Sequence, residues 1–403
     1  MSDKTENLPM ARRELLAMGV ACAAAVVASP SVKASAAEAP PSSSAGSVEP
    51  GNRCPTEAPW PGNRLATMGL PFKTDYAALR ERRMAEVSEE LRDMYQFWSS
   101  HSIRQAGVER VRAMTRSPAS AVLDPRVEAY NIEIPGPAGP IPTRVFRPKG
   151  ARGRLGVYLA THGGGWVFGN GLTHIDAEES RNVLDWGCAV VHPDYRIAPE
   201  HKFPAAIEDC YAAFRYIVDH GDSMDLDTTR IGIGGGCAGA SMATVVSLMA
   251  RDAGGIKPAV QFLWSPSFDM RNNNESNYEL AQGYSLSLDD ADFVTSQYLR
   301  TRDDAEDWRA SPLLAETMKG APPAIIWVGE WDLLRSEARR YRDRLRDAGT
   351  TVHYIEGPQQ GHGFLYFRNL KTHQPTEYSK QTLPKINALI RSYIGPESLH
   401  RHV

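Results

Sequence analysis

The 403-residue sequence holds only five cysteines, too few and too scattered for a disulfide-stapled scaffold. It has no run of basic residues with which to grip a nucleic-acid backbone, and its 45 Lys+Arg against 48 Asp+Glu leave a net charge of −3, so nucleic acid is not an expected partner. His174, His192, His201 and His220 have no companions at metal-ligand spacing, and neither a metal nor another cofactor is expected. The apolar run from Leu15 to Ala28 is too short for a stable membrane anchor. What remains, 42% hydrophobic and 23% charged residues, is the composition of a soluble globular chain and excludes disordered and collagenous classes.

The Leu15–Ala28 run follows Arg12 and Arg13 and precedes Ala34-Ser35-Ala36. A basic start, a short apolar centre and small residues at the exit read as a cleavable signal over residues 1–36. The paired arginines make it twin-arginine-like, which implies recognition by export machinery and a periplasmic or secreted mature chain. Without residues 1–36 the chain holds 41 basic against 45 acidic residues, a net of −4. Residues 37–70 are rich in Pro and Ser, with Pro40, Pro41, Pro50, Pro55, Pro59 and Pro61 among them, and read as a linker that cannot bury enough apolar surface to fold alone.

Between 71 and 125 the period is helical: Tyr76, Leu79, Met84, Val87, Leu91, Met94, Tyr95 and Trp98 recur at spacings of three and four, which predicts two or three amphipathic helices. After Pro125 the period becomes two, with Val127 to Ile134 and Ile141 to Pro148 flanking a Pro/Gly turn, the pattern of a hairpin. Short apolar runs then alternate with helical segments, at 155–160, 189–192, 230–233, 259–265, 324–329 and 352–356. The expected fold over 126–403 is therefore α/β, a mostly parallel sheet covered by helices on both faces and opened by an antiparallel hairpin.

In such sheets ligands bind at the carboxyl ends of the strands, and three loops there carry chemistry. Thr161-His162-Gly163-Gly164-Gly165-Trp166 follows a strand, and its bare glycines let backbone N–H groups approach a developing oxyanion. Gly235-Gly236-Cys237-Ala238-Gly239 lies between a strand and a helix, with small residues at −2 and +2 around Cys237, the arrangement of a nucleophile elbow. A helix N-terminus behind Cys237 would favour its thiolate, and the Ala238 amide would complete an oxyanion hole. A free cysteine is most often a small buried apolar group; the flanking glycines and the other loops argue here for a nucleophile. The third piece is Asp332, 95 residues after Cys237, followed 30 residues later by His362, each after an apolar strand. The order nucleophile, acid, base is that of the α/β-hydrolases.

Together these residues resemble the hormone-sensitive-lipase-like family of α/β-hydrolase carboxylesterases, over roughly residues 70–395. Asp194-Tyr195-Arg196-Ile197-Ala198-Pro199-Glu200-His201, Phe203-Pro204-Ala205-Ala206 and Ser311-Pro312-Leu313 add to that resemblance. It implies Cys237 as nucleophile, His362 as base, Asp332 as the group that orients it, Gly164, Gly165 and Ala238 as oxyanion donors, and a structural His162. It also implies that the helices of 71–125 form a cap, with Tyr95 and Trp98 lining the substrate pocket; Trp166 and Tyr195 are further pocket candidates. The family's usual elbow reads Gly-Asp-Ser-Ala-Gly-Gly, so Gly236, Cys237 and Ala240 are departures.

A thiol beside an imidazole can exist as a thiolate–imidazolium pair and forms a thioester. The leading expectation is an exported hydrolase of small carboxylic esters, lactones or thioesters using a Cys-His-Asp triad and the HGGG oxyanion loop. Acyl transfer, cyclisation or an eliminating lyase reaction on the same scaffold is the alternative, and a non-catalytic ligand-binding protein is the third reading.

Overall fold

The computed structural model describes residues 75–115, 121–169, 171–172, 174–364 and 375–396. The signal (1–36) and linker (37–70) readings, with Cys22 and Cys54, lie outside the described residues. Ahead of the sheet come α1 (Tyr76–Glu86), α2 (Glu89–Ser99), α3 (Ile103–Ala106) and α4 (Val108–Thr115), four helices where periodicity suggests two or three. Side-chain caps and a glycine divide them. Asp75 accepts from Ala78 N, Ser88 from Leu91 N and Ser102 from Gln105 N, and Gly107 ends α3 at φ 77°.

The alternating segments form the antiparallel hairpin β1 (Val127–Gly136) and β2 (Gly139–Pro148), in register from Val127↔Pro148 to Gly136↔Gly139. The apolar runs become β3 (Leu155–Ala160), β4 (Ala189–Pro193), β5 (Leu226–Gly236), β6 (Val260–Trp264), β7 (Ala324–Trp331) and β8 (Val352–Gly361). The eight strands run in the order β1-β2-β4-β3-β5-β6-β7-β8; β2 pairs antiparallel with both β1 and β4, and every other pairing is parallel. β5 extends beyond its apolar run because Gly234, Gly235 and Gly236 pair with Phe262, Leu263 and Trp264 of β6. Tertiary pairing overrides the low strand preference of glycine.

Helices α5 (Asp176–Trp186), α6 (Ala205–His220), α7 (Ala238–Ala253), α8 (Glu275–Glu279), α9 (Leu288–Tyr298), α10 (Arg335–Asp347) and α11 (Glu377–Ile394) complete the order. Alternate residues of β3 feed two cores. Val157 and Leu159 pack with α6, α7 and α10, whereas Tyr158 and Ala160 pack with α5 and α11. Among the described residues no helix is long and apolar enough to cross a membrane. Cys188 and Cys210 are free, fully buried thiols whose ionisation burial pushes upward.

The turn from β5 into α7 is pressed against the end of β3. The Thr161 amide donates to Gly234 O at 2.9 Å, and the Thr161 hydroxyl lies 2.9 Å from both Gly234 O and Gly239 O. A Cβ on Gly235 or Gly239 would fall 1.8 or 1.9 Å from Thr161 O, so the small residues at −2 and +2 are a steric requirement. Gly239→Ala is expected to cost about 3 kcal/mol through overpacking against backbone that cannot yield, seen as a lowered urea midpoint; an unchanged midpoint would show that the turn is not tightly packed.

Candidate active site

Cys237 occupies the turn between β5 and α7 with φ 54° and ψ −120°, a left-handed strain that a non-glycine residue tolerates only where the surroundings enforce it. Its N–H donates to Trp264 O at 3.0 Å, and its carbonyl accepts from Ser241 N at 3.3 Å in the first turn of α7. These bonds hold the side chain out of the helix, partly exposed on the wall of a cavity of about 170 Å³.

His362 follows β8 and Asp332 follows β7, strands that lie side by side. The fully buried Asp332 carboxylate accepts from His362 Nδ1–H at 3.0 and 3.2 Å and from Leu334 N at 2.9 Å. A carboxylate can only accept here, so the proton is on Nδ1 and Nε2 is left for Cys237. Burial opposes the charge on His362, yet Asp332 and the Cys237 sulfur more than offset it and its imidazolium persists well above the ordinary histidine range. For Cys237, burial pushes the thiol up; the His362 charge, its hydrogen bond and the Ala238 N–H outweigh this, and the thiol ionises below its usual range. The pair is poised as thiolate and imidazolium.

The glycine loop faces the elbow. A Cβ on Gly163 would fall 3.7 Å from Cys237 Cβ and 2.8 Å from Gly236 O, so Gly163 lies against the elbow, a position that the sequence reading does not assign to the oxyanion hole. Gly164 has φ 109° and its carbonyl accepts from both Val167 N and Phe168 N, a tight turn open only to glycine. The sequence-assigned Gly164 and Gly165 line the same cavity as Cys237 and Gly163, and the Ala238 N–H hydrogen-bonds the Cys237 sulfur. His162 is structural. It stacks on Tyr195 at 4.1 Å and its Nδ1 lies 2.7 Å from Gly163 O. Burial, with His192 beside it, lowers its pKa to about 3, so it stays neutral.

Of the pocket candidates, Trp98 and Trp166 line the cavity. Tyr195 and Tyr95 do not. Tyr195 lies behind the loop, donating to His162 O at 2.7 Å. Tyr95 is drawn into the aromatic group of Tyr284 and Trp331 and donates to Gln359 O at 2.6 Å. The Gln359 N–H in turn donates to Glu330 at 2.8 Å, so the cap and β7 together brace the backbone leading to His362.

The sequence reading missed α9. Asp290, Ala291, Val294 and Thr295 line the cavity from above, and Asp290 accepts from Ser102 Oγ and Arg104 N at 2.8 and 3.0 Å, joining α9 to the N-terminal cap. Its signal was the N-cap Ser287 followed by Asp289 and Asp290. Ser265, at φ 45°, was also missed; it accepts from Gly363 N at 3.3 Å beside His362. Gly236 stands where the resembled family has Asp, and a Cβ there would fall 2.1 Å from Trp264 Nε1 as that ring is placed. Among the described residues no group of His, Cys, Asp and Glu could hold a metal ion.

A family model described as alpha/beta hydrolase fold matches residues 158–366. The chain is 40% identical over 262 residues to the carboxylic ester hydrolase LipN of Mycobacterium tuberculosis, covering 63% of this chain and 69% of that protein. It is 35% identical over 263 residues to the esterase LipI of the same organism, covering 64% and 82%. Among solved structures, the hyperthermophilic esterase from the archaeon Pyrobaculum calidifontis superposes with a TM-score of 0.68 at 32% identity, over 76% of this chain and 98% of that chain. The chain therefore belongs to the α/β-hydrolase fold family, among its hormone-sensitive-lipase-like carboxylic ester hydrolases.

Proposed function

We propose that this enzyme cleaves small carboxylic esters or lactones through a thioester formed on Cys237. The observation that carries the reading is the chain of contacts from buried Asp332 through His362 to Cys237 at the elbow. The Cys237 thiolate attacks the ester carbonyl carbon, and the oxyanion that forms takes hydrogen bonds from Ala238 N–H and the glycine-loop amides. Collapse expels the alkoxide, which takes the His362 proton, and leaves a thioester. Neutral His362 then removes a proton from water as it attacks, a second tetrahedral oxyanion collapses, the acid leaves and the thiolate–imidazolium pair is restored.

The sulfur itself supports a second reading, acyl transfer, because a thioester yields to amines and thiols more readily than an oxygen ester does. We also propose that the enzyme acts after twin-arginine export, in the periplasm or outside the cell; Arg12-Arg13, the Leu15–Ala28 run and Ala34-Ser35-Ala36 support this.

Intact mass after brief exposure to p-nitrophenyl butyrate is expected to show one butyryl adduct, mapped to Cys237. Cys237→Ala is expected to lose the adduct and kcat/KM by on the order of 10³-fold or more; an active variant without an adduct would remove the thioester from the mechanism. Addition of hydroxylamine separates the two readings: a hydroxamate formed in excess of acid favours transfer.

The ion pair predicts a distinct pH dependence. Alkylation of Cys237 by iodoacetamide should reach half its maximal rate below the ordinary thiol pKa of about 8.5, because the folded enzyme lowers that pKa. In His362→Ala burial acts unopposed by the imidazolium, and the midpoint should move upward. Equal midpoints in the two proteins would show that His362 does not set the thiolate.

A further inference from the structure

The strand that carries the base is not regular at its end. β8 pairs with β7 residue for residue from Ala324↔Val352 to Gly329↔Gly357, and the next pair is Trp331↔Gly361. Between those pairs β7 has one residue, Glu330, and β8 has three, Pro358, Gln359 and Gln360. The two extra residues make a bulge, which redirects a strand and the side chains that follow it. His362 is the first residue beyond β8. The bulge is packed closely on its neighbours: a Cβ on Gly329 would fall 2.2 Å from Gln360 O, and one on Gly361 2.6 Å from Ser285 Oγ and 2.8 Å from Tyr95 Cε1.

A bulge takes backbone groups out of the ladder, and each then needs another partner. At Gln359 side chains supply both. Its N–H donates to a Glu330 carboxylate oxygen at 2.8 Å, and its carbonyl accepts from the Tyr95 hydroxyl at 2.6 Å. Gln359 has φ 59°, a left-handed conformation that a non-glycine residue keeps only where its surroundings impose it. Glu330 lies directly across the bulge on β7, whereas Tyr95 comes from α2 of the cap, 264 residues earlier in the chain. Tyr95 is buried, and burial, with Tyr284, Asp332 and Glu330 nearby, pushes its ionisation upward, so its hydroxyl stays a donor. Neither Tyr95 nor Glu330 lines the cavity, and their route to the chemistry is the backbone they hold.

We propose that Tyr95 and Glu330 are positioning residues for the base: by holding Gln359 at both backbone groups they keep the bulge in the conformation that delivers His362 to Asp332 and Cys237. The imidazolium faces the Asp332 carboxylate and the Cys237 sulfur. Attraction between charges falls with their separation, so a relaxed bulge weakens both contacts. The thiolate at Cys237 then depends on a hydrogen bond made by the cap. This rests on the pairing of Cys237 with His362 in the proposed function, and not on which ester is cleaved.

The pH dependence of Cys237 alkylation by iodoacetamide reads the placement of His362 without needing an ester. Tyr95→Phe keeps the ring beside Tyr284 and Trp331 and removes the donor. Its alkylation midpoint should move upward, part of the way to that of His362→Ala. Its kcat on p-nitrophenyl butyrate should fall about three- to tenfold, the span of one net hydrogen bond, with KM within about twofold of the wild type. Glu330→Ala should do the same, and Glu330→Gln, which retains an acceptor oxygen for the Gln359 N–H, should keep the wild-type midpoint. Unmoved midpoints in both Tyr95→Phe and Glu330→Ala would overturn the proposal. So would a shift in Glu330→Gln equal to that in Glu330→Ala, because charge and not the hydrogen bond would then be at work. If the buried Cys188 and Cys210 also become alkylated in Tyr95→Phe, its core has opened and the result for Glu330→Ala decides. Midpoints that move in a chain that cleaves no ester would retain the positioning residues and lose the hydrolase reading; ester cleavage with unmoved midpoints would do the opposite.

Discussion

The Thr161 carbonyl is the point about which the site is assembled. It lies so near β5 and α7 that Gly235 and Gly239 cannot carry a Cβ, and the Thr161 hydroxyl bridges toward the carbonyls on either side of the turn. That packing binds two loops from different strands into one body. With the Cys237 amide held by Trp264 O, Cys237 has little freedom to leave its strained conformation, and the glycine loop is held against the same cavity. Preorganisation of this kind removes a reorganisation cost from the reaction itself.

The electrostatics follow from that geometry. A buried thiol or imidazole alone would resist ionisation, and burial opposes both Cys237 and His362. Charge of opposite sign at short range reverses the outcome for both, and Asp332, fully buried and bonded by a backbone amide as well as by His362, fixes which nitrogen is protonated. Cys188 and Cys210 show the contrast. Both are fully buried, and desolvation, with Glu179 near Cys188 and Asp209 near Cys210, holds them as thiols. Cys237 differs from them both in its charged neighbour His362 and in opening partly onto the cavity.

The cap shares in this arrangement. Arg83 of α1 bridges through Glu279 to Arg335, which also donates to Glu330 O at 2.6 Å, while Tyr95 of α2 holds Gln359 just ahead of His362. Arg112 of α4 donates to Val167 O at 2.9 Å and Ala198 O at 2.8 Å, and pairs with Glu200. The helices over the site therefore brace the backbone leading to His362 and the glycine loop as well as lining the cavity.

The sequence by itself determined the strand order along the chain, the hairpin, the elbow with its small residues and the succession Cys237, Asp332, His362, because period, glycine spacing and loop position are local properties. It did not determine that Gly234 to Gly236 pair as strand, that Tyr95 packs away from the cavity while Trp98 faces it, or that α9 closes the cap. Each of these depends on which distant surface supplies a partner: β6 for the glycines, Trp331 and Gln359 for Tyr95, Ser102 and Arg104 for Asp290. The tertiary structure likewise decided the fate of Gly236, since only the fold brings Trp264 into the space its side chain would need. Periodicity shows which face of an element is apolar, but a contact between residues far apart in the chain exists only once the sheet has brought them together.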